Sequence, residues 1–125
     1  MWLSQQRKRE QSPEGPAQVG TVTLEGDPAG VYLAGERRDL PVFGPGGYCW
    51  RPAVDQEVLV LKTGAAGEAP CVAGTRSQGE LQPGEVKISA RGGGSITLAA
   101  DGTIRLDGAV LVNGTPLVVV PPEGA

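Results

Sequence analysis

Between positions 86 and 116 every even-numbered residue is apolar or glycine: Val86, Ile88, Ala90, Gly92, Gly94, Ile96, Leu98, Ala100, Gly102, Ile104, Leu106, Gly108, Val110, Val112, Gly114 and Pro116. Most odd positions between them are polar or charged, among them Lys87, Ser89, Arg91, Ser95, Thr97, Asp101, Thr103, Arg105, Asp107, Asn113 and Thr115. Alternation at period two describes β-structure with one dry face and one wet face. A period of eight lies over it, because Ile88, Ile96, Ile104 and Val112 are equally spaced, as are Ala90, Leu98 and Leu106. A repeat this short reads as a winding strand and not as a folded domain.

A hairpin meander is the competing reading. Asp101-Gly102 is a dipeptide that closes two-residue hairpins, and such a turn exchanges odd for even, carrying Arg105 and Asp107 to the face of Ile96 and Leu98. The parity does not exchange, although hairpins with an odd number of loop residues would also preserve it. The preferred picture is a chain that bends at Gly92 to Gly94, Gly102, Gly108 and Gly114 and keeps its apolar face toward one axis. A single chain leaves that face in water. Three chains around a common axis cover it, so that folding and trimerisation become one event. The expected trimer core is Val86, Ile88, Ile96, Leu98, Ile104, Leu106, Val110 and Val112.

The remainder of the chain sets limits on chemistry. Twenty glycines, eleven prolines and several short β-branched runs among 125 residues predict an all-β protein rich in turns. A net charge of −3 argues against nucleic acid as a partner, since phosphate binding needs a basic face. Histidine is absent, which removes the commonest general base and the commonest transition-metal ligand together. Gly44-Pro45-Gly46-Gly47 lacks the lysine of a phosphate loop. Hence no catalytic, cofactor-binding or metal-binding residue is assigned, and no enzymatic activity is expected. Cys49 and Cys71 are expected to be buried free thiols. Arg7, Lys8 and Arg9 stand where a signal peptide places its apolar core, so assembly in a bacterial cytoplasm is expected.

Along the chain, residues 1–17 read as a flexible arm and 18–77 as a compact domain. Strands are predicted at 19–24, 30–34, near 40–43, 57–62 and 69–74. The near-continuous apolar run at 57–62 predicts a strand covered on both faces. Five strands with one long irregular connection suit a small Greek-key barrel of the OB type. Residues 78–85 form the linker, with Pro83-Gly84 as the joint, and 86–116 the repeat. In the final segment, 117–125, the apolar run Leu117, Val118, Val119 and Val120 breaks the parity before Pro121-Pro122 ends any strand. It is expected either to plug the end of the trimer or to be capped by a separate tip protein.

The stretch YCWRPAVDQEVLVLK at 48–62, a short glycine loop, and APCVAG at 69–74 resemble the OB domain of phage baseplate assembly protein V, the central spike of contractile tails. GSITLAADGTIRLDG at 94–108 and VNG at 112–114 are similar to the triple-stranded β-helix that forms that family's needle. The resemblance covers about residues 19–116, and the order of the two halves is more specific than either half. It implies an OB-fold barrel followed by a short, intertwined, homotrimeric β-helix. It further implies a membrane-piercing, non-enzymatic spike of a contractile tail or phage-like injection particle. Such a virion component docks on a separate baseplate hub protein and meets the target cell's outer envelope mechanically. Many such spikes bind iron through a His-x-His pair at the apex; with no histidine here, that site is not carried over. Two alternatives stay open: an OB protein that binds single-stranded nucleic acid, and a trimeric fibre that recognises a receptor.

Overall fold

A computed structural model of the chain describes residues 15–77 and 79–120. The protein is all-β: the described residues form strands, turns and irregular segments, with no helix. It divides into two compact units, Met1–Ser77 and Gln78–Ala125. Most of the N-terminal arm, Gln78 in the linker and the end of the apical segment lie outside the described residues. The arm's last residue does not, because Ala17 already belongs to the first strand.

In the first unit the strands are β1 (Ala17–Leu24), β2 (Ala29–Tyr32), β3 (Glu36–Leu40), β4 (Glu57–Thr63) and β5 (Ala69–Thr75). They form one antiparallel sheet in the order β3-β2-β1-β4-β5. Just past β3, Val42 makes a parallel bridge to Val72 on β5. Phe43 N–H donates to the Val72 carbonyl at 2.8 Å, and Val72 N–H to the Pro41 carbonyl at 2.9 Å. The two edge strands are thereby joined, and the sheet closes on itself. Inside it lie Val22, Ala29, Val31, Leu40, Val58, Val60 and Val72, all essentially without solvent contact, with Leu33, Val42 and Trp50 packed against them. These positions alternate along β1 and β4, as a half-buried sheet requires.

Several expectations are corrected here. The third strand is Glu36–Leu40, earlier than predicted, because a strand whose side chains are exposed and charged except for Leu40 carries almost no apolar signal. β4 is covered on one face only: Val58 and Val60 are buried while Leu59 and Leu61 point outward, Leu59 opposite the exposed Val19. Both cysteines are free, but only Cys71 is buried; Cys49 is exposed in the long connection after β3.

In the second unit β6 (Val86–Ser89), β7 (Ser95–Leu98) and β8 (Ile104–Asp107) form a three-stranded antiparallel sheet in chain order, and β9 (Leu111–Val112) and β10 (Thr115–Pro116) form a hairpin. The preferred picture of a chain that winds on without folding back is overturned, since consecutive strands pair antiparallel as a meander. The reason lies in the turns. Gly93 N–H donates to the Ala90 carbonyl and Ala90 N–H to the Gly94 carbonyl; Gly102 repeats this with Ala99, and Ala99 with Thr103. Each loop therefore has three residues, 91–93 and 100–102, and its last residue is a glycine at positive φ, 97° for Gly93 and 91° for Gly102. Such three-residue loops reverse the chain while keeping even opposite even. The two loops are nine residues apart, so the period of eight is not the structural period. Ile96 faces Ile88 on one side and Leu106 on the other, while Ile104 faces Leu98.

Candidate assembly interface

The even parity and the three-residue turns together build a face of two aliphatic rows. Val86, Leu98 and Ile104 lie side by side across the three strands, and Ile88, Ile96 and Leu106 make the next row. On the opposite face the corresponding rows are Lys87, Thr97 and Arg105, then Ser89, Ser95 and Asp107. Arg105 Nε contacts Asp107 Oδ2 at 2.9 Å along the same strand, a solvated pair of small energetic weight.

Exposure runs against hydrophobicity. In the central strand β7, Ser95 and Thr97 are half-buried, whereas Ile96 and Leu98 are 43% and 45% exposed. All six aliphatic side chains of the face are exposed, and no described residue of the second unit is buried. The sheet has an apolar face that no described residue covers.

The sheet is tied down from its N-terminal side. Gln82, Pro83, Gly84 and Glu85 make a tight turn, closed by Glu85 N–H donating to the Gln82 carbonyl at 3.1 Å, with Gly84 at φ 87°. The Glu85 carboxylate then accepts the Gln82 N–H at 3.0 Å and the Ala100 N–H at 2.9 Å, joining this turn to the β7–β8 loop. These two amides hold the Glu85 carboxyl below the usual glutamate range, against an opposing push from the Asp101 charge. Asp101 is itself held low by the Thr103 hydroxyl and amide, and its Oδ1 accepts the Thr103 N–H at 2.9 Å.

Of the residues expected to line a trimer core, the structure brings six onto one face and leaves two apart. Val110 and Val112 belong to the terminal hairpin, where Asn113-Gly114 forms a two-residue turn with φ of 50° and 81°. That turn does exchange parity: Val112 faces Thr115 and Leu111 faces Pro116, so the continuous even stripe ends before it. Asn-Gly is the strongest short hairpin signal in a sequence, and it identifies this reversal without any structure. Beyond the hairpin, which Leu117 N–H extends by donating to the Val110 carbonyl at 2.8 Å, Leu117, Val118, Val119 and Val120 are exposed.

The first unit offers a less defined surface. An open groove of about 370 Å³ is lined by Arg37, Arg38, Asp39, Phe43, Glu68 and Cys71 among others, mixing both charge signs. Arg38 Nε lies 3.4 Å from Glu36, and Arg51 lies 3.9 Å from Asp27. Tyr32, Phe43 and Tyr48 are exposed. Among the described residues no group of three or more metal-ligating side chains converges. No family model and no curated protein matches this chain.

Proposed function

We propose that three copies of this chain assemble through the even-numbered face of the second unit and that the trimer is the central spike of a contractile tail or a related injection particle. The observation that carries the reading is the uncovered face of Val86, Ile88, Ile96, Leu98, Ile104 and Leu106, on a unit that has no interior of its own. Each of these residues keeps between 43% and 68% of its surface in water. Covering that remainder is worth roughly 1 kcal/mol apiece, enough in sum to favour association. An exposed contiguous apolar face of this kind marks an interaction surface.

The first unit supports the base of such a spike. Its strand order and the parallel closure between the end of β3 and β5 suit a five-stranded barrel of the OB type, which is the element that precedes the needle in baseplate assembly protein V. In this reading the base docks on a separate hub protein, and the second unit points toward the target envelope. No covalent step is involved. Backbone pairing and a shared apolar core carry the load.

Light scattering on the purified chain at micromolar concentration tests the reading. A mass three times that of the 12.8 kDa chain is expected, and a monomeric mass overturns the proposal. Capture of the trimer, but not of a dissociated variant, by a purified baseplate hub protein tests the docking role.

A further inference from the structure

We infer that the three copies join edge to edge, β8 of one beside β6 of the next, closing three three-stranded sheets into a single nine-stranded barrel with the even-numbered side chains inside. This rests on the three-copy reading above and specifies how the copies meet.

The first argument is direction. In an antiparallel meander the outer strands β6 and β8 run the same way, so a contact between β8 of one copy and β6 of the next is parallel. It also uses two different surfaces, and a contact of that kind repeats around a rotation axis until it closes.

The second argument is backbone polarity. The turn bonds from Ala90 to Gly94 and from Ala99 to Thr103 fix which opposed residues exchange hydrogen bonds, and bonded and non-bonded pairs then alternate along each ladder. It follows that Lys87 and Ser89 on β6, and Ile104 and Leu106 on β8, turn their N–H and C=O groups away from β7. No other described strand pairs with either edge. In a parallel ladder, an outward residue bonds to the two residues flanking its opposite number. Leu106 placed between Lys87 and Ser89 therefore has the even residue Ile88 beside it. Even meets even at the junction, and the aliphatic rows run on into the next copy. An offset of two residues keeps this match, while an offset of one destroys it.

The third argument is size. A barrel of about eight strands has an interior just filled by side chains, and wider barrels open a lumen. Three copies come nearest to the filled size, whereas two fall short and four overshoot. A symmetric contact of β8 with β8 would instead give a flat two-copy sheet whose apolar face stays wet and whose β6 edges stay open. Charge refines the register. Direct opposition would set Lys87 against Arg105, and an offset of two relieves this while supplying the stagger that a closed barrel needs.

Paired cysteines test the junction in the full chain carrying Cys49→Ser. Ser89→Cys with Arg105→Cys probes one offset, and Lys87→Cys with Asp107→Cys probes the other. One of the two pairs should give disulfide-linked trimers on a non-reducing denaturing gel, and no single substitution should. If neither pair cross-links, and Lys87→Cys with Arg105→Cys for the unshifted register does not either, while the proteins remain trimeric by light scattering, the edges do not meet and this inference fails, with the spike reading left standing. If the unsubstituted chain is monomeric, both fail. Amide hydrogen exchange on the unsubstituted trimer gives an answer that no substitution can disturb. Ile104, Leu106, Lys87 and Ser89 should exchange as slowly as Ile96, and rapid exchange at these four positions overturns the edge pairing.

Discussion

β4 in the first unit and β7 in the second are both interior strands with aliphatic residues at every second position, yet one is dry and the other wet. Val58 and Val60 have essentially no solvent contact; Ile96 and Leu98 keep nearly half of theirs. The difference does not lie in the strands. In the first unit the chain returns past β3 to bridge β5, so one sheet wraps around its own inward side chains. In the second, three strands of four residues are too few to wrap around anything. Aliphatic residues on one face of a strand thus form an interior where the chain is long enough to close, and an exposed face, in our proposal an interface, where it is not.

The strongest way to break this contrast is to charge the open face. Ile96→Asp places a carboxylate at the centre of the six-residue face, where burial without a partner costs several kcal/mol. The variant is expected to be monomeric by light scattering while the near-ultraviolet dichroism of Trp50, packed against the core of the first unit, stays unchanged. A trimer that survives Ile96→Asp would mean that the even face is not where copies meet.

Truncating the closed interior sharpens the comparison from the other side. Val60→Ala removes buried methyl groups and should cost about 2 kcal/mol, by the same amount at every protein concentration. The second unit should behave otherwise, because under the proposed assembly its apolar face is covered only by association. Its melting temperature is expected to fall on dilution while that of the first unit stays fixed. Two transitions that both ignore dilution would remove the distinction.

These contrasts bear on what a sequence shows. Apolar alternation in β1 and 86–106 located strands and faces, because the pleat imposes period two whatever covers the sheet, whereas the continuous run Val58–Leu61 located β4 and hid which of its faces is buried. β3 was hidden, since Glu36, Arg37, Arg38 and Asp39 are solvated on the outside of the closed sheet and only Leu40 faces in. The meander was masked for another reason: three-residue turns ending in glycine preserve parity, so a chain that reverses twice looks like one that never does. Equal spacing of Ile88, Ile96 and Ile104 strengthened the wrong period, although Ile104 packs beside Leu98. At 113–114 the information was present and unused. The Asn113-Gly114 pair is itself the signal for reversal, and the even parity that runs up to it concealed the turn.

That reversal gives a smaller test. Gly114→Ala places a Cβ in a left-handed turn position at φ 81°, at a cost of about 1 kcal/mol. The effect should be confined to the terminal hairpin, with faster amide exchange at Leu117 and no change in the mass of the assembly. Loss of the assembly would extend the interface beyond the three-stranded sheet into the hairpin.

The smallest effect is one of pH, and it separates the units because the carboxylate concerned serves only the second. Glu85 ionises more readily in the fold than in the unfolded chain, since its charged form accepts the Ala100 and Gln82 amides. A lowered folded value means that the carboxylate's stabilisation is fully present above the ordinary glutamate range and is lost as pH falls through that range to the lower folded value. Acidification through that window should lower the protection of the Ala100 amide, measured against its intrinsic exchange rate at each pH, without lowering protection in β1 or β4. Asp101 titrates in the same direction through Thr103, so the Thr103 amide reports it separately. Glu85→Gln keeps the shape but weakens the acceptor, and should give low Ala100 protection already at neutral pH, with no further loss of protection in acid. Unchanged Ala100 exchange in Glu85→Gln would show that the turn at Gln82 and the β7–β8 loop are held together by their backbones alone.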